Sequence, residues 1–258
     1  MTSNMTADPN YMASLARGLE VMRGFSREKR HMSIAQLAQK TGIPRASVRR
    51  CLYTLAQLGY VGTDDGRNYS LRPKVLGLGH AYLSSTPLVV TAQPYLDRVS
   101  DAVNESCSLA ILDGEEILYL ARSVTSRIIS VTLNVASRLP AHCTSIGYVL
   151  LANLAPRALD DYLRKAELRA FTERTLTSRE KLREELARVR EQDWAIADRL
   201  MEVDVRSIAV PVRNAAGTVV AGINVIVQAE RVSLRDMRTL YLPHLQRAAA
   251  ELGAQLAP

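Results

Sequence analysis

The chain has 258 residues, of which 47% are apolar and 23% are charged, a composition typical of a globular protein of one or two domains. Its longest apolar run, residues 218–227, is about half as long as a membrane helix must be, and the N-terminal pattern is not that of a secretory signal. Three scattered cysteines exclude a disulfide framework and a CxxC metal site. We therefore expect a cytoplasmic protein without a membrane partner.

The positive charge is concentrated in the first third of the chain. The whole chain carries +7, whereas residues 11–77 hold 12 Lys and Arg against four Asp and Glu, so this segment alone carries +8. A basic segment followed by a neutral one indicates a nucleic-acid-binding domain joined to a second domain with another function. On charge alone, a solvated basic surface explains the pattern equally well.

The first elements in the chain predict three helices followed by a hairpin. An amphipathic pattern indicates a helix over 11–25, Ser33 and Gly42 are a suitable N-cap and C-terminal stop for a second, short helix, and a third helix is predicted over 44–57. Two strand-like segments then flank the turn sequence Asp64-Asp65-Gly66-Arg67. This order of elements is that of a winged helix-turn-helix domain, which we assign to residues 11–73.

The remainder of the chain predicts an α+β fold. A linker helix over 74–86 leads into a second domain over 87–258, in which Asp113-Gly114 and residues 214–217 signal antiparallel hairpins. Helices packed around such a sheet make a sensor-like domain. The other predicted elements are a helix from Pro87 to Asn104, a strand from Ile128 to Leu133, a helix over 143–154, a helix that starts at a Thr177–Glu180 capping box, and a C-terminal helix that Pro243 kinks or splits.

The third helix has the two faces that a recognition helix needs. At about 100° per residue, Val48, Leu52 and Leu55 fall on one side, and the polar and basic side chains fall on the other. The apolar back fixes the orientation of the helix, while arginines on the front can pair with guanine edges and Tyr or Ser can position phosphates. The predicted DNA-contacting residues are Arg45, Ser47, Arg49, Arg50 and Tyr53 on this helix and Arg67 at the hairpin tip.

Two other classes of protein stay open at this point. The helix-turn-helix could contact protein rather than DNA, which would make the chain an effector-binding interaction module. A small-molecule enzyme is the second alternative, but no GxSxG, HExxH, GxGxxG or GxxxxGK[ST] string occurs. His142 and Cys143 are adjacent, which suits a base–nucleophile pair poorly. We predict no enzymatic activity, no catalytic residue, no metal and no cofactor.

The motifs resemble the IclR family of bacterial transcriptional regulators over nearly the whole chain. The resemblance rests on residues 14–19, 34–42, 49–52, 58–61 and 69–79 in the first domain and on residues 138–144 and 205–212 in the second. The sequences of residues 81–85, 105–110 and 206–211 are similar to those of one branch, the PcaR, PcaU and PobR-like regulators of aromatic catabolism. The chain departs from the family at Leu200 and Asp204, where an acid and a glycine are usual.

The resemblance implies a GAF-like effector domain, double-stranded DNA as a partner, and a homodimer or tetramer, and it leaves RNA polymerase open as a further partner. It also implies a small carboxylate effector, either an aromatic acid such as 4-hydroxybenzoate or protocatechuate, or a dicarboxylate such as β-ketoadipate. A helix N-terminus suits such a carboxylate. The effector-binding residues carried over are Thr144, Ser145, Ile146, Asp198, Val205, Ser207 and Asn224.

A structural role is an equally good interpretation for each of these effector-pocket side chains, since each could satisfy backbone groups of its own strand or loop. Arg122, Arg127 and Arg138 could balance the charge of a dicarboxylate, although a surface position is the better expectation for each.

Overall fold

The structure of the chain, a computed structural model, describes residues 8–26, 28–125 and 133–257. The chain forms two compact units that divide between Tyr82 and Leu83. Within the described ranges, no helix is long and apolar enough to cross a membrane. The predicted strand from Ile128 to Leu133 lies outside the described residues, Leu133 excepted.

The first unit combines three helices with a small antiparallel sheet. Its elements are α1 (Ala13–Arg23), β1 (Met32–Ser33), α2 (Ile34–Thr41), α3 (Arg45–Gln57), β2 (Val61–Thr63) and β3 (Asn68–Leu71), and they are followed by α4 (Leu76–Ser85). The strand order is β1-β3-β2. The hairpin of β2 and β3 is the predicted wing, whereas β1 is a strand that the sequence does not predict.

Local capping fixes the turn between α2 and α3. The Ser33 hydroxyl accepts from the Gln36 N–H at 3.3 Å, and the Gln36 side chain accepts from the Ser33 N–H at 2.9 Å, which completes a capping box. Gly42 ends α2 with φ of +70°, a conformation that glycine adopts without steric cost. Val48 and Leu52 of α3 are fully buried in the core of this unit. The predicted apolar back of α3 therefore faces inward.

The second unit is built on a six-stranded antiparallel sheet. Its strands are β4 (Ser106–Asp113), β5 (Glu116–Ser123), β6 (Arg138–Pro140), β7 (Ala195–Asp198), β8 (Val205–Arg213) and β9 (Val219–Gln228), in the order β6-β5-β4-β9-β8-β7. Its helices are α5 (Pro87–Val103), α6 (Ser145–Ala152), α7 (Pro156–Lys165), α8 (Arg179–Gln192), the single turn α9 (Leu234–Asp236) and α10 (Leu242–Gly253). The architecture confirms the predicted mixed α+β fold.

The sheet separates two apolar cores. Side chains of α5 and α10 pack on one face, and those of α6, α7 and α8 pack on the other. All eight residues of α6 are buried, so this helix runs through the interior of the unit. Its first residue, Ser145, is fully buried, and its hydroxyl lies 2.7 Å from that of Ser207 on β8, so the helix begins against the sheet.

Two predicted helix starts need correction. The N-cap of α8 is Ser178 rather than Thr177, because the Ser178 hydroxyl accepts from the Lys181 N–H at 3.2 Å and donates to the Glu180 carboxylate at 2.7 Å. The helix predicted over 143–154 begins at Ser145, after a 3₁₀ turn over Ala141–Cys143.

The C-terminal helix is interrupted before Pro243. A π-helical turn, Met237–Tyr241, separates α9 from α10, and Pro243 lies in the first turn of α10. A proline is tolerated there because the first N–H groups of a helix have no intrahelical acceptor. The helix is therefore split, one of the two outcomes that the sequence predicts.

Candidate functional sites

The exposed front of α3 presents the predicted DNA-contacting side chains. Arg45, Arg49, Arg50 and Tyr53 are exposed, with Tyr53 at 67%, and Ser47 is half-buried. Because the opposite face of the helix is locked in the core, the orientation of this front is fixed. The arrangement supplies arginines and a hydroxyl on a rigid helix, as groove recognition requires.

A groove between α1 and α3 lies beside this front. It has a volume of about 410 Å³, and Ser47 and Arg50 contribute to its wall. On the α1 side the wall is apolar and solvent-exposed: Leu15 is 57% and Leu19 is 48% exposed. Ser47 and Arg50 therefore stand at the border between the front of α3 and an apolar groove, whereas Arg49 and Tyr53 do not line that groove.

The tip of the wing is organised by Asp65, a residue that the sequence analysis did not single out. Its carboxylate accepts from the N–H groups of Arg67 at 2.8 Å and Asn68 at 2.7 Å and from the Asn68 side-chain amide at 2.7 Å. These hydrogen bonds hold the pKa of Asp65 below its usual range. The exposed Arg67 side chain thus projects from an ordered tip. An aspartate two residues before the turn ends is the sequence signal for this arrangement.

A small cavity of the second unit lies where α6 begins against the sheet. Its volume is about 50 Å³, about a third of the 150 Å³ apolar cavity that holds benzene in another protein. The described residues that line it are Tyr119, Leu133, Leu139, Cys143, Thr144, Ala197, Leu200, Met201, Glu202, Val205, Ser207, Asn224 and Ile226. Lining side chains must move before an aromatic acid fits.

Four of the seven predicted effector-binding residues line this cavity: Thr144, Val205, Ser207 and Asn224. Ser145 and Ile146 are fully buried in α6 and do not line it. The Ser145 hydroxyl lies 2.7 Å from that of Ser207, so it hydrogen-bonds a residue of the cavity wall without lining the cavity itself.

Asp198 does not line the cavity, because its carboxylate is engaged elsewhere. One oxygen accepts from Arg206 Nε at 2.7 Å and the other from Arg174 Nη1 at 2.5 Å. The Arg206 side chain is only 9% exposed and also donates to the Val232 carbonyl at 2.5 Å. This geometry gives Asp198 a structural role as the counter-ion of a buried arginine.

The start of α6 lies beside the cavity, because Thr144 lines the wall, whereas Ser145 and Ile146 do not. Thr144 is the N-cap, and its hydroxyl accepts from the Gly147 N–H at 3.1 Å. The first N–H groups of a helix carry partial positive charge and favour an anion. The helix begins here because Gly147 allows the backbone to pass the Ala141 carbonyl, which a Cβ at this position would meet at 2.0 Å.

Two buried polar groups of the wall are turned toward each other. Asn224 lies close enough to the Tyr119 hydroxyl to offset in part the effect of burial on its pKa, while Asn224 Oδ1 has no partner among the described groups. Burial raises the pKa of Tyr119, so the phenol is neutral. Burial also raises the pKa of the Cys143 thiol to about 12, which leaves it protonated and unreactive at neutral pH. These groups can therefore hydrogen-bond a ligand, and the Cys143 thiol is not an activated nucleophile.

The three arginines considered for charge balance have different positions. Arg138 lies at the surface with Asp113 and Glu116. Arg127 lies outside the described residues. Arg122, expected at the surface, is instead half-buried, and its Nη1 donates to the carbonyl of the cavity residue Leu133.

A helix-turn-helix unit and a sheet domain with an internal cavity, joined in one chain, define the class of ligand-responsive transcriptional regulators. The family model for the IclR helix-turn-helix domain matches residues 14–65, and the model for the bacterial transcriptional regulator IclR C-terminal domain matches residues 80–254. The chain belongs to the IclR family of bacterial transcriptional regulators.

Individual relatives agree with this family assignment along the whole chain. The Pca regulon regulatory protein of Pseudomonas putida is 52% identical over 97% of this chain and 86% of its own length. The p-hydroxybenzoate hydroxylase transcriptional activator of Acinetobacter baylyi is 34% identical over 94% of this chain and 91% of its own length. The chain is accordingly a regulator of the Pca and Pob type and not an enzyme.

A solved structure shows the same fold with a ligand. The IclR homolog of Microbacterium hydrocarbonoxydans, crystallised in complex with 4-hydroxybenzoate, is 26% identical and superposes with a TM-score of 0.80. The alignment covers 95% of this chain and 99% of that one.

Proposed function

We propose that this chain controls genes of aromatic-acid catabolism in the bacterial cytoplasm. It binds operator DNA through α3 and the wing, and it binds an aromatic acid or its dicarboxylate breakdown product in the cavity of the second unit. The observation that carries the proposal is the 52% identity to the Pca regulon regulatory protein, because it extends over 97% of the chain and so includes both sites. Effector binding shifts the population of DNA-binding states.

The chemistry of the cavity supports a carboxylate with an apolar body. Thr144, Ser207 and Asn224 place hydroxyl and amide groups on the wall near the start of α6, and Leu139 and Ile226 supply apolar surface. A mostly apolar pocket with a few convergent polar groups is the usual form of a small-molecule site. The polar groups then orient the acid, while the apolar ones surround its ring or chain.

The DNA-binding half is tested by replacing Arg49 with Ala. Arg49 is exposed on the front of α3, and loss of a bidentate base contact costs about 1–3 kcal/mol. We expect roughly tenfold or greater weakening on a duplex that the wild type selects from a random library, measured by fluorescence anisotropy. The matched control is Arg164→Ala on α7, where the arginine pairs with Asp161 at the surface of the second unit. Equal affinities of R49A and the wild type would favour the protein-interaction module.

Apolar side chains left exposed on α1 and α4 support a homodimer. Leu15 and Leu19 of α1 and Leu76 and Leu78 of α4 are between 48% and 75% exposed, and α4 has no buried residue. Such surfaces mark protein–protein interfaces. In a two-fold dimer the recognition helices reach successive major grooves, about 34 Å apart.

A further inference from the structure

A β-bulge in β5 decides which face of the sheet Arg122 occupies. Leu109 pairs with Ala121, but the next residue, Ala110, pairs with Tyr119, so Leu120 is the extra residue. Arg122 and Tyr119 are three positions apart and would lie on opposite faces of a regular strand. The bulge brings both to the face that carries the cavity, and re-aiming a side chain is a known role of bulges.

Arg122 is the first member of a buried polar row across three strands. Its pairing partner on β4 is Ser108, and the partner of Ser108 on β9 is Asn224. Neighbouring strands are about 4.8 Å apart, so the row is about 10 Å long. Arg122 Nε, Ser108 Oγ and Asn224 Oδ1 are each buried and have no hydrogen-bond partner in the described part of the protein. Ser108 is 0% and Asn224 is 2% exposed.

Unpaired polar atoms of this kind are expensive in a protein interior. A buried donor or acceptor without a partner destabilises the fold by about 1–3 kcal/mol, and buried polar groups are nearly always satisfied. Three of them in adjacent positions of one row therefore point to an external partner that supplies both acceptors and donors. Of the three residues, Asn224 lines the cavity, whereas Arg122 and Ser108 are not part of its described lining, so a ligand reaches them only when the wall beside Asn224 opens.

The charge at the end of the row has no counter-ion in the described chain. Arg122 forms no ion pair with a described carboxylate, and burial lowers the pKa of its guanidinium. Its Nη1 donates to the Leu133 carbonyl, and both Leu133 and Tyr119 line the cavity. Glu202 is the acidic side chain of the described lining, and it lies on the loop between β7 and β8.

We propose that Arg122 is the residue that recognises the carboxylate of the effector, with Ser108 as a second donor beside it. The proposal rests on the proposed function, and it adds the side chain through which the site distinguishes a carboxylate from a neutral phenol or amide. An arginine suits this role because its planar group binds a carboxylate through two parallel hydrogen bonds. Asn224 Oδ1 then accepts a hydroxyl of the same ligand.

The experiment compares acids with their neutral amides by isothermal titration calorimetry. The probe pairs are 4-hydroxybenzoate with 4-hydroxybenzamide and adipate with adipamide. We expect the wild type to prefer one acid over its amide by about tenfold or more. In Arg122→Met we expect the affinity for that acid to fall by about 10- to 100-fold and the affinity for the amide to change by less than about threefold.

Matched variants separate recognition from folding. Arg138→Met removes a surface arginine of the neighbouring strand β6 and should keep the preference for the acid. Arg122→Lys retains the charge and should keep part of the preference. Ser108→Ala is a second probe of the row should Arg122→Met fail to fold, and it should weaken binding of the acid severalfold more than binding of the amide.

The binding results separate failure of the Arg122 inference from failure of the proposed function. If the wild type binds acid and amide equally, or if Arg122→Met loses affinity for both alike, the inference is overturned while the proposed function stands. If the wild type binds neither acid of the two pairs nor protocatechuate, the proposed function is overturned and the inference with it.

Discussion

Gly147 occupies the point where the chain enters α6 and where only a hydrogen atom fits between the helix and the preceding turn. A Cβ there would lie 2.0 Å from the Ala141 carbonyl oxygen, a backbone atom that cannot move without displacing the helix start. We predict that Gly147→Ala lowers the free energy of unfolding by about 2–4 kcal/mol. Urea denaturation measures the effect. Gly79→Ala in α4 is the matched control, because a Cβ there meets nothing within 4 Å, and it should be neutral or slightly stabilising.

Asp198 is the second residue whose role follows from its contacts. Replacing it with Asn leaves the 9%-exposed Arg206 without its counter-ion, and breaking a buried ion pair on one side is strongly destabilising. We predict a loss of about 2–4 kcal/mol of stability with an unchanged affinity of the folded protein for 4-hydroxybenzoate. The control Asp161→Asn removes an exposed carboxylate and should change stability by less than about 0.5 kcal/mol. A large loss of affinity in D198N with normal stability would return Asp198 to the effector site.

Residue types and spacing predicted the front of α3 well, because helical periodicity alone separates Arg49 and Tyr53 from the buried Val48. The same reasoning could not assign Asp198, since its partners Arg174 and Arg206 come together only through tertiary structure. Tyr119 and Ser108 were missed for a related reason. Their meeting with Asn224 depends on strand register, and register is set by pairing between distant segments.

At the scale of elements, the wing shows how one carboxylate shapes a hairpin. Asp65→Ala removes four hydrogen bonds that order the tip around Arg67, from Thr63 Oγ1, the Arg67 N–H, the Asn68 N–H and the Asn68 side-chain amide. Loss of a negative charge would by itself strengthen binding to DNA. We nevertheless predict that D65A binds operator DNA several-fold, up to about tenfold, more weakly, because the disordered tip no longer positions Arg67.

The neighbouring carboxylate supplies the control for the wing. Asp64 is exposed and pairs with Arg72 at 2.7 Å, so Asp64→Ala removes the same charge without removing the cap of the turn. Its DNA affinity should be equal to or above that of the wild type. Fluorescence anisotropy measures both affinities. If D64A and D65A bind operator DNA more tightly by the same factor, the order of the tip does not contribute to DNA binding and only the lost negative charge matters.

The long, periodic elements and the hairpins were predictable, whereas the strands β1 and β6 were not. The helices α1, α3, α5 and α8 and the hairpins at Asp113-Gly114 and 214–217 follow from hydrophobic period and turn residues. The strands β1 and β6 have two and three residues and exist because β3 and β5 pair with them. The bulge at Leu120 is likewise invisible in the sequence, since it arises from a register shift between two strands whose residue types are ordinary.

At the scale of the whole molecule, the exposed apolar face of α1 predicts self-association. Leu15→Glu places a charge on this face, so we expect the variant to be a monomer at concentrations at which the wild type is a dimer or a larger oligomer. Sedimentation velocity measures the oligomeric state of both. Val203→Glu changes a residue that is equally exposed, at 62%, but lies in the second unit, and it should keep the wild-type oligomeric state. A monomeric wild type would contradict the dimer proposal.

The central claim, that an acid binds in the second unit of this regulator, is tested most directly by thermal unfolding of the full chain with a panel of aromatic acids and dicarboxylates. A ligand at a hundredfold its Kd stabilises the folded state by about 2.7 kcal/mol, because it binds only that state. We predict that at least one of 4-hydroxybenzoate, protocatechuate and β-ketoadipate raises the Tm by about 5 °C or more. A Tm that stays constant with every acid of the panel would contradict the claim and leave the DNA-binding unit without its proposed effector.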